Sequence, residues 1–153
     1  MTIHFRAINK ENWRIAYKLS VKDEQRNLIA HNGWSILQTV FETEYGGVAL
    51  GIYKADEMVG FMMTGIFPHE EPSIRWINRF MIGAEYQGKG YGREALKLYL
   101  EQIKDEGQYQ QVKISYKPHN HIARKLYLSL GFVEIGMHPE WDEMVGVYNT
   151  FSP

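Results

Sequence analysis

Cysteine is absent from this chain of 153 residues. That excludes disulfides, thiolate metal sites and a cysteine nucleophile, and it fits a reducing compartment. Long apolar runs are missing too. Nothing approaches the ~18 apolar residues of a membrane span, and Met1 to Leu19 carries polar and charged residues where a secretory leader would be apolar. An excess of either charge is also lacking: 17 basic and 18 acidic residues leave a formal charge of −1. A basic nucleic-acid footprint is therefore not supported. No clustered His/Asp/Glu pattern resembles a metal ligand set, and no repeat, low-complexity stretch or linker interrupts the chain. The expectation is one soluble, cytoplasmic domain over residues 1–153, without metal, nucleic-acid or membrane partners; a homodimer is left open. A domain of this size buries roughly 70% of its unfolded surface and needs no staple.

What is present is concentrated in Gln87-Gly88-Lys89-Gly90-Tyr91-Gly92. The apolar stretch Trp76 to Ile82 before it reads as a strand. Arg93 to Glu106 after it reads as a helix, because Leu96, Tyr99, Leu100 and Ile103 recur at i, i+3, i+4, i+7. A glycine-rich turn between strand and helix offers an anion unpaired N–H groups and the positive end of a helix dipole. Lys89 and Arg93 add positive charge beside it. The spacing differs from the dinucleotide fingerprint Gly-x-Gly-x-x-Gly and from the P-loop, so the reading is a pyrophosphate site of another kind. A plain surface loop is the competing reading.

The remaining order is mixed. Ile3 to Ile8 alternates like a strand, and Glu11 to Leu19 and Trp34 to Thr43 read as helices. Val48 to Lys54 and Met58 to Phe67 read as strands joined as a hairpin through Asp56-Glu57, and Ile74 to Ile82 as another strand. After the glycine loop and its helix come a strand from Val112 to Tyr116 and a helix from Pro118-His119-Asn120 to about Leu130. Gly131 ends that helix, and strands at Val133 to Met137 and Met144 to Phe151 follow. Strands in partial hairpins with interspersed helices imply a mixed sheet covered by helices.

The second helix motif is Asn120 to Phe132. Asn120, Ala123, Arg124 and Tyr127 share one helical face, and Leu126 and Leu130 fall on another. Ala123 is small enough for a ligand to pass close by. Taken alone, Tyr127 also fits a core-edge tyrosine with a satisfied hydroxyl.

Together these segments resemble the GNAT superfamily of acetyl-CoA-dependent N-acetyltransferases. Gln87 to Gly92 matches that family's Gln/Arg-x-x-Gly-x-Gly/Ala loop. Asn120, Ala123, Leu126 and Tyr127, then Gly131 and Phe132, match its later signature, in the right order and with a strand between. The resemblance implies an α/β (α+β mixed) fold: a mostly antiparallel sheet of six to seven strands with about four helices, and the pyrophosphate loop between the fourth strand and the third helix. It implies that Gln87, Gly88, Lys89, Gly90, Tyr91, Gly92 and Arg93 hold the CoA pyrophosphate. Phe80, Met81 and Ile82 would pair through their backbone with the pantetheine arm. Asn120 and Ala123 would border the cofactor, and Tyr127 would lie near the thioester sulfur as general acid.

Aminolysis of a thioester needs a neutral amine, yet a primary amine has a pKa near ~10.4. A carboxylate or an oriented water can take its proton, a strand N–H can polarise the carbonyl, and a tyrosine can protonate the leaving thiolate. The base is expected at Glu70, Glu71 or His69, since Asn78 and Arg79 on the preceding strand cannot serve. A polar turn there, or a water wire without a single base, stays open.

The stretches Trp76 to Ile82 and Gly65-Ile66-Phe67-Pro68 are similar to bacterial spermine/spermidine acetyltransferases. That implies a polyamine acceptor, held by carboxylates among Asp23, Glu24, Glu42, Glu44, Glu70 and Glu71. Trp34, Phe41, Tyr45 and Phe67 would wall an apolar trough with cation–π contacts. Arg79 would pair with a neighbouring carboxylate. Acetylation of another amine (an amino sugar, an amino acid or a protein N-terminus) and a non-catalytic CoA-binding module are the alternatives.

Overall fold

The computed structural model describes residues 2–151. Its strands are β1 (Ile3–Ala7), β2 (Val48–Lys54), β3 (Glu57–Gly65), β4 (Ile74–Ile82), β5 (Gln111–Tyr116), β6 (Val133–Met137) and β7 (Met144–Asn149). Four α-helices accompany them: α1 (Trp13–Lys18), α2 (Asn32–Phe41), α3 (Tyr91–Glu106) and α4 (His121–Ser129). All seven strands form one sheet in the order β1-β2-β3-β4-β5-β7-β6. Every neighbouring pair is antiparallel except β4 and β5, which run parallel across the α3 crossover. The mixed, mostly antiparallel sheet and the four helices agree with the expected architecture.

Helix boundaries differ slightly from the periodicity reading. α2 begins two residues earlier, at Asn32, because the His31 side chain accepts from the Gly33 N–H at 2.9 Å and caps the helix. α3 begins at Tyr91, inside the glycine motif, with Gly90 as its N-cap. Three 3₁₀ turns, Asp23–Gln25, Thr43–Tyr45 and Ala84–Tyr86, were not legible. They are too short to show a hydrophobic period.

Two apolar clusters lie on the two faces of the sheet. On one, α3 buries Ala95, Leu96, Tyr99, Leu100 and Ile103 against Ile52, Val59, Met62, Val112 and Ile114. Tyr127 and Phe132 belong to the same cluster. On the other face, Ala16 of α1 packs with Tyr53, Met58, Phe61, Met63 and Met81. Phe61 is fully buried there. Among the described residues no helix is long and apolar enough to cross a membrane.

One bulge matters for the site. In the β3–β4 ladder, Thr64 pairs with Ile77 but Met63 pairs with Arg79, so Asn78 is an extra residue on β4. A bulge places two consecutive side chains on one face. Asn78 and Arg79 therefore both point to the α2 side, and Phe80 resumes on the α3 side.

Candidate active site

The loop between β4 and α3 has the geometry of an anion cradle. Gly88 and Gly90 adopt φ of +78° and +85°, a region that glycine enters without penalty. A Cβ at either position would meet nothing within 4 Å, so the space beside both is open. No side chain caps the start of α3. The first-turn N–H groups are thus free for a phosphate, helped by the dipole. This fits the CoA pyrophosphate. Lys89 and Arg93 are exposed at the rim, and Tyr91 is buried. Gln87 anchors the loop: its Nε2 donates to the Ile82 carbonyl at 2.9 Å and to Gln25 Oε1 at 2.8 Å, while Gln25 Nε2 donates to Gln87 Oε1 at 3.2 Å.

Beside this loop the sheet forks. β4 and β5 pair only from Ile74 to Ile77 against Gln111 to Ile114. From Asn78 to Ile82, β4 has no strand partner on that side among the described residues. Five residues of extended chain span about 16 Å. Such an edge can hydrogen-bond an extended ligand arm as a strand would. Phe80, Met81 and Ile82 lie on it, leading from the fork to the glycine loop. At the far side, Arg93 Nη1 donates to Ser129 Oγ at 2.6 Å, joining the start of α3 to the end of α4.

α4 brings Tyr127 to the α3 side of this fork. Asn120 is its N-cap and accepts from the Ala123 N–H at 3.3 Å, which leaves the Asn120 amide NH₂ available to a ligand. Tyr127 is 6% exposed, and its ring lies 5.2 Å from that of Tyr116 and 5.9 Å from that of Phe132. Its hydroxyl makes no hydrogen bond among the described residues. Burial, and secondarily Tyr116, pushes its pKa well above the usual tyrosine value, so it stays a proton donor throughout the neutral range. Tyr116 is fixed in turn, donating to Glu134 Oε1 at 2.9 Å. Arg124 of α4 grips the same carboxylate at 2.6 and 3.2 Å. The Arg124 hydrogen bond, then that of Tyr116, lowers the Glu134 pKa.

The opposite face of the fork holds a cavity of about 340 Å³. Phe67, Trp76 and Trp141 form its aromatic wall, with ring centroids 5.0 to 5.7 Å apart. Tyr45 joins them through Phe67 at 5.9 Å. Its polar groups come from four elements. Gln38 and Glu42 lie on or just after α2, Asn78 and Arg79 on β4, Ser115 on β5, and Glu143 just before β7. Ser115 Oγ donates to Glu143 Oε1 at 2.9 Å. Lys117 Nζ lies 3.9 Å from the other Glu143 oxygen. Because Ile77 and Ile114 form the last paired step, Asn78 and Ser115 stand where the strands part. Glu143 is therefore at the fork and Glu42 is carried separately by α2.

Of the base and acceptor candidates from sequence, Glu42, Tyr45 and Phe67 line this cavity and the others lie apart from it. Glu70 receives the Trp76 indole N–H at 3.3 Å and lies 3.5 Å from Lys113 Nζ, behind the aromatic wall. Glu71 is exposed on the turn entering β4, and neither carboxylate lines the cavity. Tyr45 and Phe67 are in place as walls, whereas Trp34 and Phe41 face solvent at 61% and 77% exposure. Asp23 and Glu24 are exposed on the first 3₁₀ turn, and Glu44 is exposed on the second. Among the described residues Arg79 takes no carboxylate partner: Nη1 donates to the Asn78 carbonyl at 2.8 Å and Nη2 to Gln38 Oε1 at 3.3 Å. Burial lowers its pKa from the ordinary arginine value, against the opposing fields of Glu143 and Glu42. Sequence reasoning missed Glu143, Ser115, Gln38 and Trp141, which share no local pattern with the glycine motif.

Comparison with known proteins identifies the family and the fold. Residues 5–132 match the model of the acetyltransferase (GNAT) family. A curated Bacillus subtilis protein named spermine/spermidine N(1)-acetyltransferase is 29% identical over 136 residues, covering 86% of this chain and 88% of its own. Among solved structures, spermidine N-acetyltransferase from Vibrio cholerae, in complex with CoA and spermine, superposes with a TM-score of 0.78 at 15% identity, covering 97% and 96% of the two chains. An aminoglycoside acetyltransferase in complex with coenzyme A and kanamycin gives 0.81 at 17% identity, covering 97% and 95%. At such identities the structures speak to the fold alone. The family match spans most of the chain and contains the glycine loop, the fork and α4, so this protein belongs to the acetyltransferase (GNAT) family and is an acetyl-CoA-dependent N-acetyltransferase.

Proposed function

We propose that this enzyme, acting as one domain, acetylates a primary amine of a polyamine such as spermidine or spermine. The observation that carries the reading is the cavity at the fork, which combines an aromatic trough with two carboxylates on separate elements, Glu42 and Glu143. Spaced negative charges suit spaced ammonium groups, and aromatic faces suit both methylenes and cations. The names of the Bacillus relative and of the Vibrio complex support the same acceptor.

Acetyl-CoA supplies the thioester carbon. In this reading Gln87 to Arg93 bind its pyrophosphate through N–H groups and positive charge, and the free edge at Phe80, Met81 and Ile82 orients its arm. The acceptor enters from the α2 side. Its amine releases a proton to Glu143 or to water, and an N–C bond forms as the C–S bond breaks. Tyr127, on the α3 side, gives its proton to the leaving thiolate. Glu70 and Glu71 are removed from the reacting centre in this account.

A thiol-release assay with acetyl-CoA against polyamines, diamines, amino acids and amino sugars tests it. The expected result is the highest kcat/KM for spermidine or spermine, with monoacetylated product. A preference for an amino sugar or amino acid would replace the acceptor and leave the acetyltransferase in place.

A further inference from the structure

An amine attacks a thioester only when unprotonated, and a free primary amine is almost wholly protonated at pH 7. Carboxylates that attract the acceptor worsen this, since each negative charge favours ammonium. The cavity contains an opposing charge. The bulge at Asn78 turns Arg79 into it, beside the point where β4 and β5 part. A guanidinium does not lose its proton near neutral pH. The groups around it are few. From α2 comes Gln38, from the residue just after it Glu42, from the second 3₁₀ turn Tyr45, and from β5 Ser115. Glu143 comes from the segment before β7, with Lys117 3.9 Å from its carboxylate. The Lys113–Glu70 pair stands behind Trp76, and His138 stacks on Trp141 at 3.6 Å. None of these forms an ion pair with Arg79 among the described residues, and its buried Nε has no hydrogen-bond partner.

The lining charges decide what the cavity accepts. Two carboxylates, Glu42 and Glu143, less one guanidinium, Arg79, leave a single net negative charge. That balances one ammonium group and not two. A polyamine brings at least two amines, so a second ammonium, at the fork beside Arg79, exceeds the negative charge the cavity offers, all the more because Lys117 offsets part of that of Glu143.

We propose that Arg79 is a positioning residue that keeps the attacking amine unprotonated, repelling an ammonium at the fork while Glu42, away from the fork, holds a distal ammonium of the same acceptor. The proton leaves the amine for water or for Glu143 before attack. The neutral nitrogen lone pair then forms the N–C bond, the nitrogen gives up a second proton to water, the C–S pair departs on sulfur, and Tyr127 supplies the thiolate proton and regains one from solvent. This rests on the amine-acceptor reading above.

The test is the pH profile of thiol release for wild type, Arg79→Gln and Arg79→Lys, with whichever primary amine the wild type turns over best. Removing the cation makes protonation of the amine easier. In Arg79→Gln the ascending limb of kcat moves about one pH unit higher, roughly a tenfold loss at pH 7, while KM falls because a second ammonium is tolerated. Arg79→Lys keeps the limb near wild type. An unmoved limb in Arg79→Gln, or a limb moved to lower pH, overturns the proposal, as does a lower kcat with a raised KM and no shift. A measurement on the wild type needs no variant to fold: ¹⁵N NMR titration of labelled spermidine in its complex with the enzyme and CoA. One terminal amine is expected to titrate below its free value; midpoints all at or above the free values overturn the proposal. Absence of turnover with every polyamine would instead discard the acceptor class, and the pH test would proceed on the accepted amine.

Discussion

Replacing Glu42 and Glu143 by glutamine keeps their size and much of their hydrogen bonding and removes both negative charges lining the cavity. Ser115 can still donate to the amide oxygen at position 143. A hydrogen bond to a charged partner contributes about 1.5–3 kcal/mol. Glu143 belongs at the low end, since its side chain is 30% exposed and Lys117 already offsets part of its charge. About 3 kcal/mol for the pair corresponds to a KM for spermidine raised roughly 10²-fold. Thiol release at saturating acetyl-CoA, with spermidine varied at two ionic strengths, measures it. Added salt should weaken the wild type more than the double variant, because the screened attraction is then gone. The singles separate two roles. Glu42→Gln should raise KM alone. Glu143→Gln should also lower kcat and remove an ascending limb of its pH profile if that carboxylate takes the proton. Wild-type KM and salt response in a double variant that still binds CoA would refute the assignment of the cavity as the acceptor site.

Gly90→Asp should reduce CoA affinity at least about tenfold, or 1.4 kcal/mol, because it puts a carboxylate beside the pyrophosphate and a side chain at φ +85°; calorimetry checks it, with circular dichroism as the control for folding. Tyr127→Phe preserves the ring packing against Tyr116 and Phe132 and removes the proton. It should lower kcat by about 10²-fold with acetyl-CoA binding nearly unchanged, as read by single-turnover kinetics. Gln25→Ala removes both hydrogen bonds to Gln87 and should raise the KM for acetyl-CoA several-fold, about 1 kcal/mol, without altering the pH profile.

Segments with strong alternation were read directly. β2, β4 and β6 occupy the residues that their patterns implied, because each is bounded by glycine, proline or charged turns. The glycine loop was equally local, since a turn between one strand and the next helix is contiguous. Spacing alone also fitted a plain surface loop, however, and the cofactor roles of that loop and of Asn120, Ala123 and Tyr127 came from the family resemblance. The acceptor side was not local. Glu42, Ser115 and Glu143 converge only through the sheet order, which puts β7 beside β5 and α2 over the fork. The attraction of Glu70 and Glu71 was their density in sequence; Lys113, brought beside Glu70 by the parallel β4–β5 pairing, explains that carboxylate without any ligand. Arg79 was expected to meet a carboxylate. The bulge that aims it into the cavity is a register property, invisible in the alternation of Trp76 to Ile82.

In the proposed reaction, acetyl donor and polyamine meet at the β4–β5 fork, one from the glycine loop and the other from the α2-side cavity. A bisubstrate conjugate, CoA joined through an acetyl bridge to a terminal nitrogen of spermidine, tests both halves in one calorimetric comparison with CoA. The conjugate is expected to bind at least about 10²-fold more tightly, a gain of roughly 2.7 kcal/mol, and to lose most of that gain in the Glu42→Gln, Glu143→Gln double variant. Equal affinities of conjugate and CoA for the wild type would contradict it.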